Sequence, residues 1–356
     1  MQQHIHGGDW ESLTVPVRLD YSTNLNPLGM PPEIKQALQD HIADYVRYPD
    51  GQCRALRQAL SQWERVSAQW ILCGNGAADL LLRICQAIQP KQTLLPAPTF
   101  SEYEKGARLV QSQIVYHCLR REEQFALTEC ILEDLTEQID LCFLCNPNNP
   151  TGQLAEQQLL LKILQRCAEK QIVLVVDECF LDFTDGRSCK QWLAAYPNLI
   201  VIKAFTKLFA MAGLRLGYLL TSNDALRDAI AAWGQSWTVS APAQYAGIAA
   251  CNLQKFALHS KQVVAEERQW LAGQLQQLGF TVVPGTGNFI CFRAQQPLWQ
   301  SMLERGILLR SCANYHGLDA QDYRICVKLR QDNLELLQAL REVCDGESNY
   351  DSGHHV

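Results

Sequence analysis

Along the first 220 residues, short apolar runs rich in branched side chains alternate with amphipathic stretches of helix length. The runs fall at 70–73, 93–95, 114–118, 141–145, 172–176, 199–202 and 217–220, and the clearest helical stretch between them is 77–88. Runs this continuous suit strands covered on both faces, and strands interleaved with helices predict an α/β fold built on a mostly parallel sheet. Beyond residue 245 the rhythm changes to a long amphipathic helix at 262–278, strands at 280–283 and 288–293, and a last helix at 333–343. This reads as a smaller α+β domain. Turn chemistry at Asn26-Pro27-Leu28-Gly29 and Pro31-Pro32 predicts an N-terminal arm that wraps across to it. The expected organisation is an arm and part of the small domain over 1–45, a large domain over 46–245, a small domain over 246–346 and a polar, disordered tail over 347–356.

Composition narrows the function. The chain has 356 residues, 47% hydrophobic and 19% charged, with a net charge of -6 and no long run of one sign, so nothing marks a nucleic-acid or anionic-membrane partner. Small-molecule chemistry is the remaining default. The 15 cysteines are scattered through apolar runs, as Cys85, Cys142 and Cys291 are, which fits free thiols in a reducing cytosol better than a disulfide framework. Cys142 and Cys145 lie on one predicted strand and face opposite sides, so no metal site is expected. The start Met1-Gln2-Gln3-His4 lacks a basic leader pattern and no uncharged stretch approaches membrane length, so a cytoplasmic location is expected.

In doubly wound sheets, ligands sit beyond the carboxyl ends of the strands. Four pointed elements fall there. Gly74-Asn75-Gly76-Ala77-Ala78-Asp79 opens a helix whose amides suit a phosphate. Asn146-Pro147-Asn148-Asn149-Pro150-Thr151-Gly152 forms a rigid corner. Asp177-Glu178 places a carboxylate at a buried strand end, where it needs a cationic partner. Lys203-Ala204-Phe205-Thr206-Lys207 is followed, eight residues after Lys207, by Arg215.

In this order and spacing, these elements make the chain resemble the fold-type I pyridoxal-phosphate enzymes over nearly its whole length. Within that group it looks most like the threonine-phosphate decarboxylases of cobalamin biosynthesis, relatives of the histidinol-phosphate aminotransferases. Both share Arg47-Tyr48-Pro49-Asp50 and Asn148-Asn149-Pro150-Thr151-Gly152. The decarboxylase flavour lies in His6-Gly7-Gly8, in 24–31, in Asp177-Glu178-Cys179-Phe180-Leu181-Asp182-Phe183 and in Leu309-Arg310-Ser311-Cys312-Ala313-Asn314-Tyr315.

The resemblance implies an aspartate-aminotransferase-like fold, with a mostly parallel seven-stranded sheet in the large domain. It implies pyridoxal 5'-phosphate held as a Schiff base on Lys207, its ring nitrogen facing Asp177, its phenolic oxygen facing Asn149 and its face stacked by Tyr103. The cofactor phosphate would be met by Gly76, Ala77, Thr206 and Arg215, and by Tyr48 of a second subunit, which makes the protein a homodimer with shared active sites. His6, Arg324 and Lys328 are expected to hold the substrate phosphate, with Asn24 and Asn149 turning the carboxylate out of the ring plane. Only a bond perpendicular to that plane is broken, so a decarboxylase must turn the carboxylate and an aminotransferase must hold it in plane.

Four positions bear on these expectations. Ala204 and Lys203 stand where the decarboxylases usually have Ser and Arg, so one phosphate hydroxyl is missing, and Lys328 stands where Arg is more common. Phe180, where the aminotransferases tend to have Tyr, agrees with a decarboxylase. The leading expectation is decarboxylation of O-phosphothreonine to 1-amino-2-propanol phosphate. O-phosphoserine differs by one methyl, worth about 1–3 kcal/mol, and stays open. A histidinol-phosphate aminotransferase is the alternative, and a non-catalytic regulator is disfavoured because no helix-turn-helix domain accompanies the core.

Overall fold

The computed structural model describes residues 7–351. Each of the seven apolar runs is a strand: β1 (Ile71–Asn75), β2 (Gln92–Ala97), β3 (Gln113–Cys118), β4 (Leu141–Cys145), β5 (Val173–Asp177), β6 (Leu199–Ala204) and β7 (Leu216–Leu220). They form one sheet in the order β1-β7-β6-β5-β4-β2-β3. Only β7 runs antiparallel to its neighbours β1 and β6; the other pairs are parallel. Every residue of β6 and β7 is buried, as unbroken apolar runs require, whereas the edge strand β3 is half-exposed and carries Gln113 and His117.

Helices cover this sheet and connect it to a smaller one. α1 (Ala77–Ile88) starts directly after β1 and buries Leu80, Leu81, Ile84 and Cys85. α2 (Ser101–Leu109) follows β2, and the one-turn α3 (Phe205–Leu208) follows β6. α4 (Gln254–Gln277) and the final α5 (Arg330–Asp351) are both longer than the sequence pattern predicts. In α4 the extra turns place Phe256 and Ala257 against the large core, off the stripe that faces the smaller sheet. That smaller sheet, β8 (Thr281–Val282), β9 (Phe289–Arg293), β10 (Arg310–Ser311) and β11 (Asp322–Cys326), is antiparallel in the order β10-β11-β9-β8. Its core joins Leu271 and Leu275 of α4 to Phe292, Leu336 and Leu340.

The N-terminal segment ties the two sheets together. Leu19–Asp20 pairs in parallel with Ile307–Leu308, and Tyr21 is buried in the smaller core with its hydroxyl 3.2 Å from Asn333 Oδ1. A few residues on, the Asn26 amide donates to the Lys207 carbonyl (3.1 Å) and Asn26 Nδ2 donates to the Leu208 carbonyl (2.6 Å) and to Ser260 Oγ (2.7 Å). The segment therefore crosses the turn that follows β6. Among the described residues no helix is long and apolar enough to cross a membrane.

Beneath that turn lies a buried ionic cluster. Lys203 Nζ sits 3.2 Å from Glu64 Oε1 and 3.0 Å from Asp182 Oδ1, Lys190 Nζ sits 2.6 Å from Glu64 Oε2, and Tyr218 Oη donates to Glu64 (2.5 Å). Lys203 thus faces away from the ligand side of the sheet, while Ala204 faces it. Burial pushes the Glu64 carboxyl up, but the ammonium groups of Lys203 and Lys190 and the two hydrogen bonds outweigh it and bring it down to about 2. A carboxyl depressed by folding stabilises the fold above its ordinary value of 4.5 and loses that contribution as the pH falls toward 2. Glu64→Gln is therefore predicted to cost about 3 kcal/mol in denaturant unfolding at pH 7, since it breaks a buried ion pair, and the difference from wild type is predicted to vanish as the pH approaches 2.

Candidate active site

A cavity of about 420 Å³ opens at the carboxyl ends of β4, β5 and β6, where the larger sheet meets the smaller one and the N-terminal segment. Five cationic side chains line it, Lys105, Lys207, Arg215, Arg310 and Arg324, against two carboxylates, Glu102 and Asp177. The excess of positive charge selects an anionic ligand.

One part of the cavity is an anion cradle. β1 and β7 pair with Gly74 opposite Gly217, and a Cβ on Gly217 would stand 2.5 Å from the Ala77 amide nitrogen. Gly76 has φ 81°, and a Cβ there would stand 2.5 Å from Arg215 Nη2. Glycine at both places lets the guanidinium and the start of α1 converge. No side chain caps α1, so its first amides and its positive dipole end face the same space as Arg215, with Ala77 and Thr206 on the wall. This donor set fits a phosphate.

A carboxylate and an amine lie in the same cavity. Asp177, at the end of β5, is buried; Tyr103 Oη donates to its Oδ2 (2.8 Å) and the Cys179 amide to its Oδ1 (3.0 Å). Burial pushes its carboxyl above the ordinary range despite these bonds and the nearby Lys207 ammonium. Lys207 is half-buried in α3, and burial, then the positive charge of Arg324, push its amine down to about 8. It is therefore a nucleophile within reach of neutral pH. A ring with a basic nitrogen, an aldehyde and a phosphate arm matches the carboxylate, the amine and the cradle.

The smaller sheet supplies the rest. β10 and β11 pair with Arg310 opposite Arg324, which places two buried guanidinium groups side by side on the wall. Arg324 Nη1 donates to Asn149 Oδ1 (2.7 Å) and Nη2 to the Ser22 carbonyl (2.6 Å), and its Nε makes no hydrogen bond within the described residues. Arg310 donates to the Ser311 carbonyl (2.6 Å) and to Asn314 Oδ1 (2.7 Å), 5.3 Å above the Tyr315 ring. Asn24 Oδ1 is also buried and has no hydrogen-bond partner among the described residues, while the Asn24 carbonyl accepts from Asn288 Nδ2 (2.9 Å). Buried polar atoms without partners are costly, so Arg324 Nε and Asn24 Oδ1 are groups that a polar ligand in this cavity satisfies.

Of the residues singled out from sequence, Asn24, Ala77, Asn149, Asp177, Thr206, Lys207, Arg215 and Arg324 line this one cavity, with Gly76 directly under Arg215. Tyr103 does not line it. Its ring is fully buried, stacked on Phe143 at 5.1 Å, and Phe100, three residues earlier and one helical turn nearer the strand end, is on the wall in its place, along with Phe180 and Tyr315. Lys328 is not brought to the cavity either: its Nζ lies 5.5 Å over the Tyr21 ring and 4.0 Å from Asp332. Tyr48 lies on the surface, 78% exposed and stacked on Trp237 at 4.3 Å. His6 falls outside the described residues. The residues that sequence reasoning passed over are Phe100 and Arg310, and for Arg310 the signal was the register of two short strands.

Comparison with known proteins agrees with this geometry. Residues 18–340 match the model of the family described as aminotransferase class I and II. The chain is 39% identical over 335 residues to a threonine-phosphate decarboxylase of Salmonella typhimurium, covering 92% of each protein. It is 33% identical over 346 residues to a histidinol-phosphate aminotransferase of Desulfitobacterium hafniense, covering 94% of each. The crystal structure of the histidinol-phosphate aminotransferase from Clostridium acetobutylicum superposes with a TM-score of 0.86 at 28% identity, over 92% of this chain and 99% of that one. With a cradle for phosphate, a buried carboxylate and a nucleophilic lysine in one cavity, the chain belongs to the aminotransferase class I and II family of pyridoxal-phosphate-dependent, fold-type I enzymes.

Proposed function

We propose that this enzyme decarboxylates L-threonine O-3-phosphate to 1-amino-2-propanol O-2-phosphate, a building block for cobalamin, in the cytoplasm. The observation that carries this reading is the in-register pair Arg310 and Arg324, set apart from the Arg215 cradle in the same cavity. Three cationic positions suit three anions: the phosphate of the cofactor, and the phosphate and carboxylate of a phosphorylated amino acid.

Bound in the cavity, pyridoxal phosphate supplies an electron-withdrawing ring that accepts the charge left at the substrate's Cα. The rest is done by the chain. Lys207 binds the cofactor through its amine and is free afterwards to return a proton to Cα. Asp177 holds a proton at the ring nitrogen. Asn149, whose Oδ1 accepts from Arg324, keeps its amide N–H groups for the ring's phenolic oxygen. Phe100 covers the ring face in place of Tyr103. Arg324, whose Nε has no hydrogen-bond partner among the described residues, orients the carboxylate together with the amide N–H groups of Asn24, and Arg310 anchors the phosphate. Phe180 lines the cavity packed edge-on to Phe289 at 4.9 Å and offers no hydroxyl there, which suits a departing apolar carbon dioxide better than proton traffic at Cα. The 39% identity to a threonine-phosphate decarboxylase against 33% to a histidinol-phosphate aminotransferase supports the same choice.

Tyr48 belongs to this proposal through a second copy of the chain. With Trp237, Val46 (87% exposed) and Ile42 (64%) it forms an apolar surface that suits a homodimer, in which Tyr48 reaches the partner's phosphate cradle.

Incubation with O-phosphothreonine is predicted to release one carbon dioxide per amine phosphate formed, with no glutamate from histidinol phosphate and 2-oxoglutarate; glutamate formation without carbon dioxide would establish the aminotransferase instead. The rate at which cofactor-free protein captures pyridoxal phosphate, followed by visible absorbance, is predicted to rise through a midpoint near pH 8 and then level off, because the neutral amine attacks. Arg324→Gln removes a neighbouring positive charge and is predicted to move that midpoint upward. Sedimentation velocity is predicted to give a dimer, and Tyr48→Phe to keep the dimer while weakening cofactor binding about tenfold, the value of one hydrogen bond to a charged group.

A further inference from the structure

We propose that Tyr103 is a positioning residue that keeps Asp177 ionised and aimed into the cavity, and so fixes the protonation of the cofactor's ring nitrogen. The inference rests on the reading that Asp177 faces that nitrogen. Tyr103 is one layer behind the cavity wall: it is fully buried in α2, its ring lies nearly parallel to Phe143 of β4 (8°, 5.1 Å), and Phe100 packs edge-on at 5.6 Å. Its hydroxyl donates to Asp177 Oδ2 at 2.8 Å and also neighbours the Cys145 thiol. The Cys179 amide holds Oδ1 at 3.0 Å. The carboxylate is thus gripped at both oxygens by donors that carry no charge.

The consequence is electrostatic. Asp177 and a pyridine nitrogen share one proton, and it rests on whichever partner has its protonated form the more stabilised. Burial raises the Asp177 carboxyl, which draws the proton toward the carboxylate and away from the ring. Donors to the ionised form oppose this. Tyr103 remains a donor at every working pH, because burial and the adjacent Asp177 push its phenol well above its ordinary value. The other titratable groups around the pair are Cys145 at the end of β4, Cys179 and Lys207; burial drives both thiols up, so they stay neutral. Tyr103 is therefore the removable hydroxyl that tilts the proton toward the ring.

The test is the 15N chemical shift of the ring nitrogen in protein loaded with 15N-pyridoxal phosphate at one neutral pH, together with the cofactor dissociation constant. Tyr103→Phe keeps the ring stacked on Phe143 and removes only the hydroxyl. It is expected to shift the proton equilibrium toward Asp177 by about tenfold to a hundredfold, moving the signal toward unprotonated pyridine, and to weaken cofactor binding at least about tenfold. Phe143→Leu, which loosens the packing and keeps the hydroxyl, is expected to lower stability and leave the signal in place. Should Tyr103→Phe fail to fold, 3-fluorotyrosine at position 103, a stronger donor of the same shape, is expected to hold the signal at the protonated value with undiminished affinity. An unchanged 15N signal and dissociation constant in folded Tyr103→Phe, or a fluorotyrosine protein that moves toward unprotonated pyridine, overturns the proposal. An unprotonated ring in the wild type overturns the reading of Asp177 itself, which separates the two failures.

Discussion

A carboxylate buried at the end of a central β-strand is the constraint around which this enzyme is organised. Asp177 sits where β5 leaves the sheet, with apolar strands on both sides, and burial works against its charge. Such a group persists only when donors and a cation meet it. Tyr103 and the Cys179 amide supply the donors, and the cationic cavity supplies the field. On the proposed reading a protonated ring nitrogen would complete the set, so that binding pyridoxal phosphate and stabilising the end of the strand would be the same event.

Around that carboxylate the fold brings together pieces that are remote in sequence. The antiparallel pairing of β7 with β1 puts two glycines opposite each other and opens the phosphate cradle, while the parallel run from β4 to β6 aligns Cys145, Asp177 and Ala204 at one edge. The turn after β6 presents Lys207 and is held from below by the Lys203 and Glu64 cluster and from above by Asn26. The smaller sheet contributes its arginines through strand register alone, with Arg324 reaching back to Asn149 and to the N-terminal segment at Ser22. On the proposed reading, substrate recognition and cofactor capture sit on different sheets and meet in one cavity.

Much of this was legible in the residues. The seven strands announced themselves because strands buried on both faces must be continuously apolar, and Asp177, Lys207 and Arg215 stood out because each follows such a strand. What was hidden depended on direction and register. Phe100 and Tyr103 are three positions apart at the start of α2, and only the angle of that helix decides that the phenylalanine faces the cavity and the tyrosine faces Asp177. Lys328 stands where the resembled family more often has Arg, but the chain leaves β11 and carries it to Tyr21, while Arg310, fourteen residues before Arg324, comes alongside that arginine through strand pairing. Tyr48 is exposed, as a residue serving a second subunit would be, and a single sequence carries no register for such a contact.

The central claim is that one lysine, opposite one buried carboxylate, holds the cofactor. Borohydride reduction of the protein as purified with pyridoxal phosphate, followed by peptide mass spectrometry, tests it directly. The account predicts a single phosphopyridoxyl group on the peptide containing Lys207, at Lys207 itself. A label at Lys203 or elsewhere, or protein that stays colourless and unlabelled, would contradict it.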